Sequence, residues 1–175
     1  MAGEIVVGSS PIDRPSHFGA VATTILNKAN PATIAGLLTM FKLYVKTAGI
    51  DDLFYGVFYN TDGDNWTCRS AGHSAVADGA GLKTVTGLSL DIQVGDCVAF
   101  YWKNSSPEMT QPGEDDVYIS YSAGNLCSPD SSGSFPDWIA AGKATFSIQG
   151  IGDVLSDSGG ESASPAALLV ATGII

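Results

Sequence analysis

Cys97-Val98-Ala99-Phe100-Tyr101-Trp102 is the stretch whose reading decides the fold. Successive side chains point to opposite faces of a strand. Val98, Phe100 and Trp102 therefore share one face, and Cys97, Ala99 and Tyr101 share the other. Both faces are apolar, as expected of a central strand held between two layers. Asp91-Ile92-Gln93-Val94-Gly95-Asp96 reads as a tight turn leading into it.

Upstream, residues 83–90 alternate, with Val85 and Leu88 apolar and a shift of phase at Gly87. Residues 77–81 (ADGAG) form a turn and residues 66–69 a strand. Asn60-Thr61-Asp62-Gly63-Asp64-Asn65 reads as a hairpin loop, Asp-Gly being a strong turn signal. In the strand at 53–59 (LFYGVFY), Gly56 marks a bulge or close packing. Residues 34–45 are a long apolar run. Flanking glycines and alternation favour a strand over a helix, with Leu37, Thr39, Phe41, Leu43 and Val45 toward the core. Leu38, Met40, Lys42 and Tyr44 take the other face. Residues 20–26 are a strand broken by Asn27-Lys28-Ala29-Asn30-Pro31, and 4–7 a short strand closed by Gly8-Ser9-Ser10-Pro11. Pro15 gives 12–15 a turn-like character.

Downstream, 104–114 is a loop, 117–121 a strand and 124–133 a long loop carrying Cys127. Phe135-Pro136-Asp137-Trp138 is expected to lid the core. In 143–151, Ala144, Phe146 and Ile148 alternate with Thr145, Ser147 and Gln149, the pattern of a half-buried final strand. Strands spaced by roughly ten residues, without a long helix, predict an all-β antiparallel sandwich of jelly-roll type. It spans residues 1–154 as one domain.

The composition agrees: 45 % hydrophobic, 15 % charged and 21 glycines in 175 residues. Eight basic against 18 acidic residues give a net charge of −10. With no basic cluster, the chain lacks the electrostatics for gripping nucleic acid or an anionic membrane surface. The opening MAGEIVVGSSPID has neither the basic region nor the apolar region of a secretory signal. That leaves a protein working inside the cell, released by lysis, or already processed. Cys68, Cys97 and Cys127 are too sparse for a disulfide framework. Cys68 and Cys97 read as small apolar strand residues, with a Cys68–Cys97 bridge as the open alternative.

A polar Gly/Ser linker at 155–164 carries an apolar segment at 165–175, PAALLVATGII. Burial of Leu168, Leu169, Val170, Ile174 and Ile175 would return roughly 1.5–3 kcal/mol each. The segment is shorter than the roughly 20 residues that cross a membrane. It is therefore expected to dock on protein, as an assembly strand added to a sheet edge. Ordering it costs about 1–2 kcal/mol per residue. Backbone bonds, each worth roughly 0.5–1.5 kcal/mol net, decide the balance.

Catalytic chemistry has few candidates. His17 and His73 lie among serines with no nucleophile elbow. The carboxylate pairs Asp51-Asp52 and Asp115-Asp116 read as solvated loop residues rather than a glycosidase pair. No catalytic residue is assigned. Asn60, Asp62 and Asp64 have the alternating oxygens of a Ca2+ site, set against the hairpin reading of the same residues. Trp66, Trp102, Tyr121 and Trp138 are candidate aromatics for a glycan platform, set against core packing. Asn65-Trp66-Thr67 and Asn104-Ser105-Ser106 match the glycosylation sequon.

Asn30-Pro31-Ala32, Gly56-Val57-Phe58-Tyr59 before an Asn/Asp/Gly turn, Thr67-Cys68-Arg69, Leu88 and Gly95-Asp96 follow in that order. In this the chain, over residues 3–102, resembles small β-sandwich proteins encoded by phages and prophages, found on virion surfaces or fibres. The resemblance implies a jelly roll with a role in assembly or attachment, and supplies no catalytic residues. The expected function is a structural self-assembly subunit of an extracellular filament or virion-surface lattice. Its partners are copies of itself, joined by the C-terminal strand. The alternative is a carbohydrate-binding module, with calcium where the Asn60 loop supplies ligands.

Overall fold

The structure, a computed structural model, describes residues 3–19, 22–47, 52–76, 79–102, 108–110 and 118–154. For residues 108–110, 118–121 and 137–143 it describes the backbone alone. Among these residues there is no helix. The strands are β1 (Glu4–Gly8), β2 (Ser16–His17), β3 (Thr23–Asn27), β4 (Gly36–Val45), β5 (Asp52–Asp62), β6 (Asn65–Ala75) and β7 (Gly81–Ile92). They continue as β8 (Cys97–Trp102), β9 (Glu108–Thr110), β10 (Tyr118–Ala123), β11 (Ser132–Ser134), β12 (Asp137–Lys143), β13 (Thr145–Phe146) and β14 (Ile148–Asp153).

A four-stranded sheet, ordered β1-β14-β4-β7, packs on a seven-stranded sheet, ordered β11-β6-β5-β8-β3-β10-β12. A small third sheet is ordered β13-β9-β2. Every pairing is antiparallel. The fold is an antiparallel β-sandwich, as the alternation of apolar residues predicts.

β8 lies between β5 and β3, and all six of its residues are buried. Val98, Phe100 and Trp102 enter the core between the sheets, beside Ile5, Leu38, Phe41, Leu43, Tyr55 and Ile148. Phe100 stacks on Trp102 at 5.0 Å, and Phe41 of the smaller sheet stacks on Tyr55 of the larger at 5.3 Å. Cys97, Ala99 and Tyr101 face the other way, into a second cluster with Leu26, Phe58, Cys68, Cys127 and Phe135. The chain between β10 and β12 covers this outer face. It is fastened by Asp130 N–H to Cys68 O (2.9 Å), Cys68 N–H to Ser131 O (2.8 Å) and Lys28 Nζ to Phe135 O (2.7 Å). Phe135, the first residue of the expected lid, is fully buried, while Pro136 is exposed and the side chains of Asp137 and Trp138 lie outside the described residues.

Several local expectations are corrected. In β4, Leu38 is buried and Leu37 and Thr39 are only half-buried, although Phe41, Leu43 and Val45 face the core as predicted. The register slips at Thr39 against both β14 and β7, and one extra residue exchanges the faces upstream of it. Residues 143–151 are not one half-buried strand: β13 and β14 belong to different sheets, and Thr145 and Ser147 are buried. Ser147 Oγ accepts from the buried Arg14 Nε (2.9 Å) and donates to Ile12 O (2.6 Å), which satisfies its burial. β6 runs on to Ala75, so His73 stands on a strand. β9 and β12 arise where the sequence pattern shows no strand. Gly56 is close-packed, as one of its two readings expects, since a Cβ there would stand 3.0 Å from the Phe58 ring and 3.2 Å from Cys68 Sγ; the bulge lies one residue on, between Val57 and Phe58, where Arg69 is the extra residue on β6.

The three cysteines are free thiols and buried. Burial pushes Cys68 and Cys97 up from 9.0 to about 12, and Cys127 well above 9.0. Thiols so held are poor nucleophiles.

Candidate functional site

The outer edge of the four-stranded sheet is β1, and its hydrogen-bonding groups can be assigned from its end. Ser9 N–H donates to Ile148 O, toward the β14 side, while Gly8 N–H donates to Asn30 O, away from it. Backbone groups alternate in direction along a strand. Ile5 and Val7 therefore bond β14, and Glu4 and Val6 turn their N–H and C=O outward. Gly3 O fits the same alternation, accepting from Val154 N–H across the β14 side at 3.1 Å.

The edge is closed at one end. Asn30, in the left-handed region (φ 49°) that asparagine tolerates, accepts from Gly8 N–H at 3.0 Å and donates Nδ2 to Gly8 O at 3.2 Å. Among the described residues, no strand pairs with the outward groups of Glu4 and Val6. Val6 is 48 % exposed. Beside it opens a pocket of about 520 Å3, lined by Val6, Gly8, Ser10, Pro31, Thr33 and Gln149 together with Asn30.

Between the lining residues Pro31 and Thr33, the backbone of Ala32 is tied to the turn that carries a buried ion pair. Ala32 N–H donates to Asp96 O, and Gly95 N–H donates to Ala32 O, both at 2.8 Å. Asp96 is 2 % exposed and takes Arg69 Nε at 2.6 Å and Arg69 NH2 at 3.2 Å, along with Gln93 N–H at 2.9 Å. The bond to Asp96 holds the Arg69 guanidinium still more firmly protonated. Arg69 also lies over the Tyr59 ring at 4.7 Å. Ala32, Arg69 and Gly95-Asp96 are far apart in sequence and meet here. Their meeting was not legible in advance, because it depends on the β6 bulge that turns Arg69 toward the β7–β8 turn.

The other predicted residues fall as follows. Trp102 is 0 % exposed, packed between the sheets, so it offers no face to a glycan. Trp66 is 8 % exposed in the outer cluster, with Lys28 Nζ 5.9 Å from its ring. Burial of these two rings removes Trp66 and Trp102 from the platform reading. The side chains of Tyr121 and Trp138 lie outside the described residues. Asn60 Nδ2 donates to Gly63 O (2.8 Å) and Asn65 O (3.2 Å), clamping the hairpin. Asp64 Oδ1 stands 3.8 Å from Lys28 Nζ. The loop thus has the internal bonding of a turn, and no group of three or more His, Cys, Asp or Glu suited to a metal occurs among the described residues. Leu168, Leu169, Val170, Ile174 and Ile175 lie outside the described residues.

His73 Nε2 lies 2.8 Å from Asp52 Oδ1, and its ring stacks on Phe54 at 4.4 Å. Both partners of the pair are about half exposed, where such a contact contributes little. His17 is exposed on β2, and Asp115 and Asp116 lie outside the described residues. Compared with protein-family models, curated proteins and solved structures, the chain has no match.

Proposed function

We propose that the protein is a structural subunit that assembles with its own copies, the apolar segment at 165–175 adding as a strand to a neighbour's sheet. The observation that carries this reading is a sandwich with a sheet edge that no described strand covers, combined with an apolar segment beyond it that needs a protein surface. An added strand satisfies both at once: backbone groups gain partners and apolar side chains leave water. A contact of this head-to-tail kind, when it does not close into a ring, gives an open filament. The resemblance described above supports a jelly-roll connectivity and a virion-surface or fibre context. The glycan-binding alternative has less support, since Trp66 and Trp102 are both buried.

The test compares the full chain with one lacking residues 165–175, by light scattering and negative-stain imaging. The reading expects polymers from the first and folded monomers from the second. A full chain that stays monomeric at high concentration overturns it.

A further inference from the structure

Resting on that reading, we propose that the acceptor is the β1 edge at Glu4–Val6, and that a second copy's residues 165–175 pair antiparallel to it, seating one apolar side chain in the adjoining pocket. Glu4 and Val6 offer four outward backbone groups, and a strand laid beside them exchanges both bonds with each. A residue directly opposite Val6 points its side chain to the same face as Val6. There the pocket between Gly8, Pro31, Thr33 and Gln149 receives it. Its chain neighbours point to the opposite face, alongside the buried Ile5 and Val7. The acceptor therefore calls for a strand that is apolar on both faces. Ala167-Leu168-Leu169-Val170 has that apolar pattern in sequence.

The polarity follows from where the chain leaves the sandwich. Val154 sits beside Gly3, at the foot of β1. From there a molecule's own segment reaches its own edge most directly in the parallel sense, which pairs slightly less well than the antiparallel one. A second copy has no such constraint. Ten linker residues, 155–164, span roughly 33–36 Å when extended, about twice the roughly 17 Å of a five-residue strand. That is reach enough to present the segment to a neighbour.

The experiment uses the full chain with Val6→Pro, Val7→Pro or Thr33→Trp. Val6→Pro deletes an outward N–H and leaves the β14 pairing intact, a position where edge strands tolerate proline. It is expected to keep the parent circular dichroism and to raise the concentration at which polymers appear about tenfold or more. Thr33→Trp fills the exposed pocket without touching the backbone, and is expected to weaken polymers in the same direction. Val7→Pro breaks a bond to β14 and is expected to destabilise the fold itself. If Val6→Pro fails to fold, Thr33→Trp decides. Parent-like polymers from both Val6→Pro and Thr33→Trp overturn the acceptor while leaving assembly standing. A monomeric parent in which Val6→Pro makes 165–175 newly sensitive to protease shows docking within one molecule, and overturns the second copy.

Discussion

The two sheets of this sandwich are dressed differently. The seven-stranded sheet has its inner face on the common core and its outer face under the chain between β10 and β12, with Leu126, Cys127 and Phe135 turned down onto Leu26, Phe58 and Cys68. Among the described residues, the four-stranded sheet is packed on one face only. On its outer face Val6, Ile151, Met40 and Thr86 stand side by side across all four strands, and Leu82 on β7 is 51 % exposed. A sheet buried on both faces is a scaffold. A sheet with a half-apolar outer face and an open edge is where another chain can add. On the proposed reading, the seven-stranded sheet is the body of the molecule and the four-stranded sheet its contact surface.

The sharpest way to break that comparison is through the residue both sheets share. Phe100→Ala removes a fully buried ring between rigid strands and is expected to cost about 5 kcal/mol, the upper end for such a truncation. Phe135→Ala empties the outer cluster instead. The covering chain can settle into the space, so about 3 kcal/mol is expected. Urea denaturation of the two variants checks the ranking. Equal costs would mean that the cover is as integral as the sheet-to-sheet core.

Arg69→Ala tests the ion pair of the turn that holds Ala32. It leaves the Asp96 carboxylate buried without its guanidinium, an arrangement expected to cost about 3 kcal/mol. Gln93 N–H still reaches that carboxylate, which keeps the loss at the low end. Because Asp96 O holds Ala32, assembly is expected to weaken in the same variant even where the fold survives.

Alkaline titration separates the outer cluster from the rest. The thiols of Cys68 and Cys97 ionise in the folded state only at about 12, against an ordinary 9.0. Above pH 9 the unfolded chain gives up protons that the folded chain keeps. Stability is therefore full below pH 9 and falls as pH rises toward 12. A variant with all three cysteines changed to alanine is expected to show a shallower fall over that window, read from the denaturation midpoint at each pH.

The parts legible in the sequence were those governed by local alternation. β8 declared both its faces, and the Asp62-Gly63-Asp64 turn and the Gly87 shift stood where composition put them. The parts that were not legible depend on partners distant in the chain. Thr39 slips because β14 and β7 both pair across it, and nothing in 34–45 itself signals a slip. Ser147 is buried because Arg14 comes to meet it from residues read as a turn. That no described strand covers the β1 edge was hidden for the same reason: whether a strand is an edge depends on its neighbours, and Glu4 followed by three apolar residues carries no mark of it.

The Thr39 slip gives the finest discrimination. Strict alternation through 34–45 places Leu37 inside and Leu38 outside. The structure reverses them, with Leu38 fully buried and Leu37 beside Asp153 and Asp91 on the outer face. Leu38→Ala is expected to cost about 2–5 kcal/mol, as buried leucines do. Leu37→Ala, at a half-buried position, is expected to cost about 1 kcal/mol, the centre for single substitutions. Thermal melts of the pair check it. A reversal would restore alternation to β4 and remove the slip at Thr39, while Met40, beside Ile151, would keep its place on the outer face.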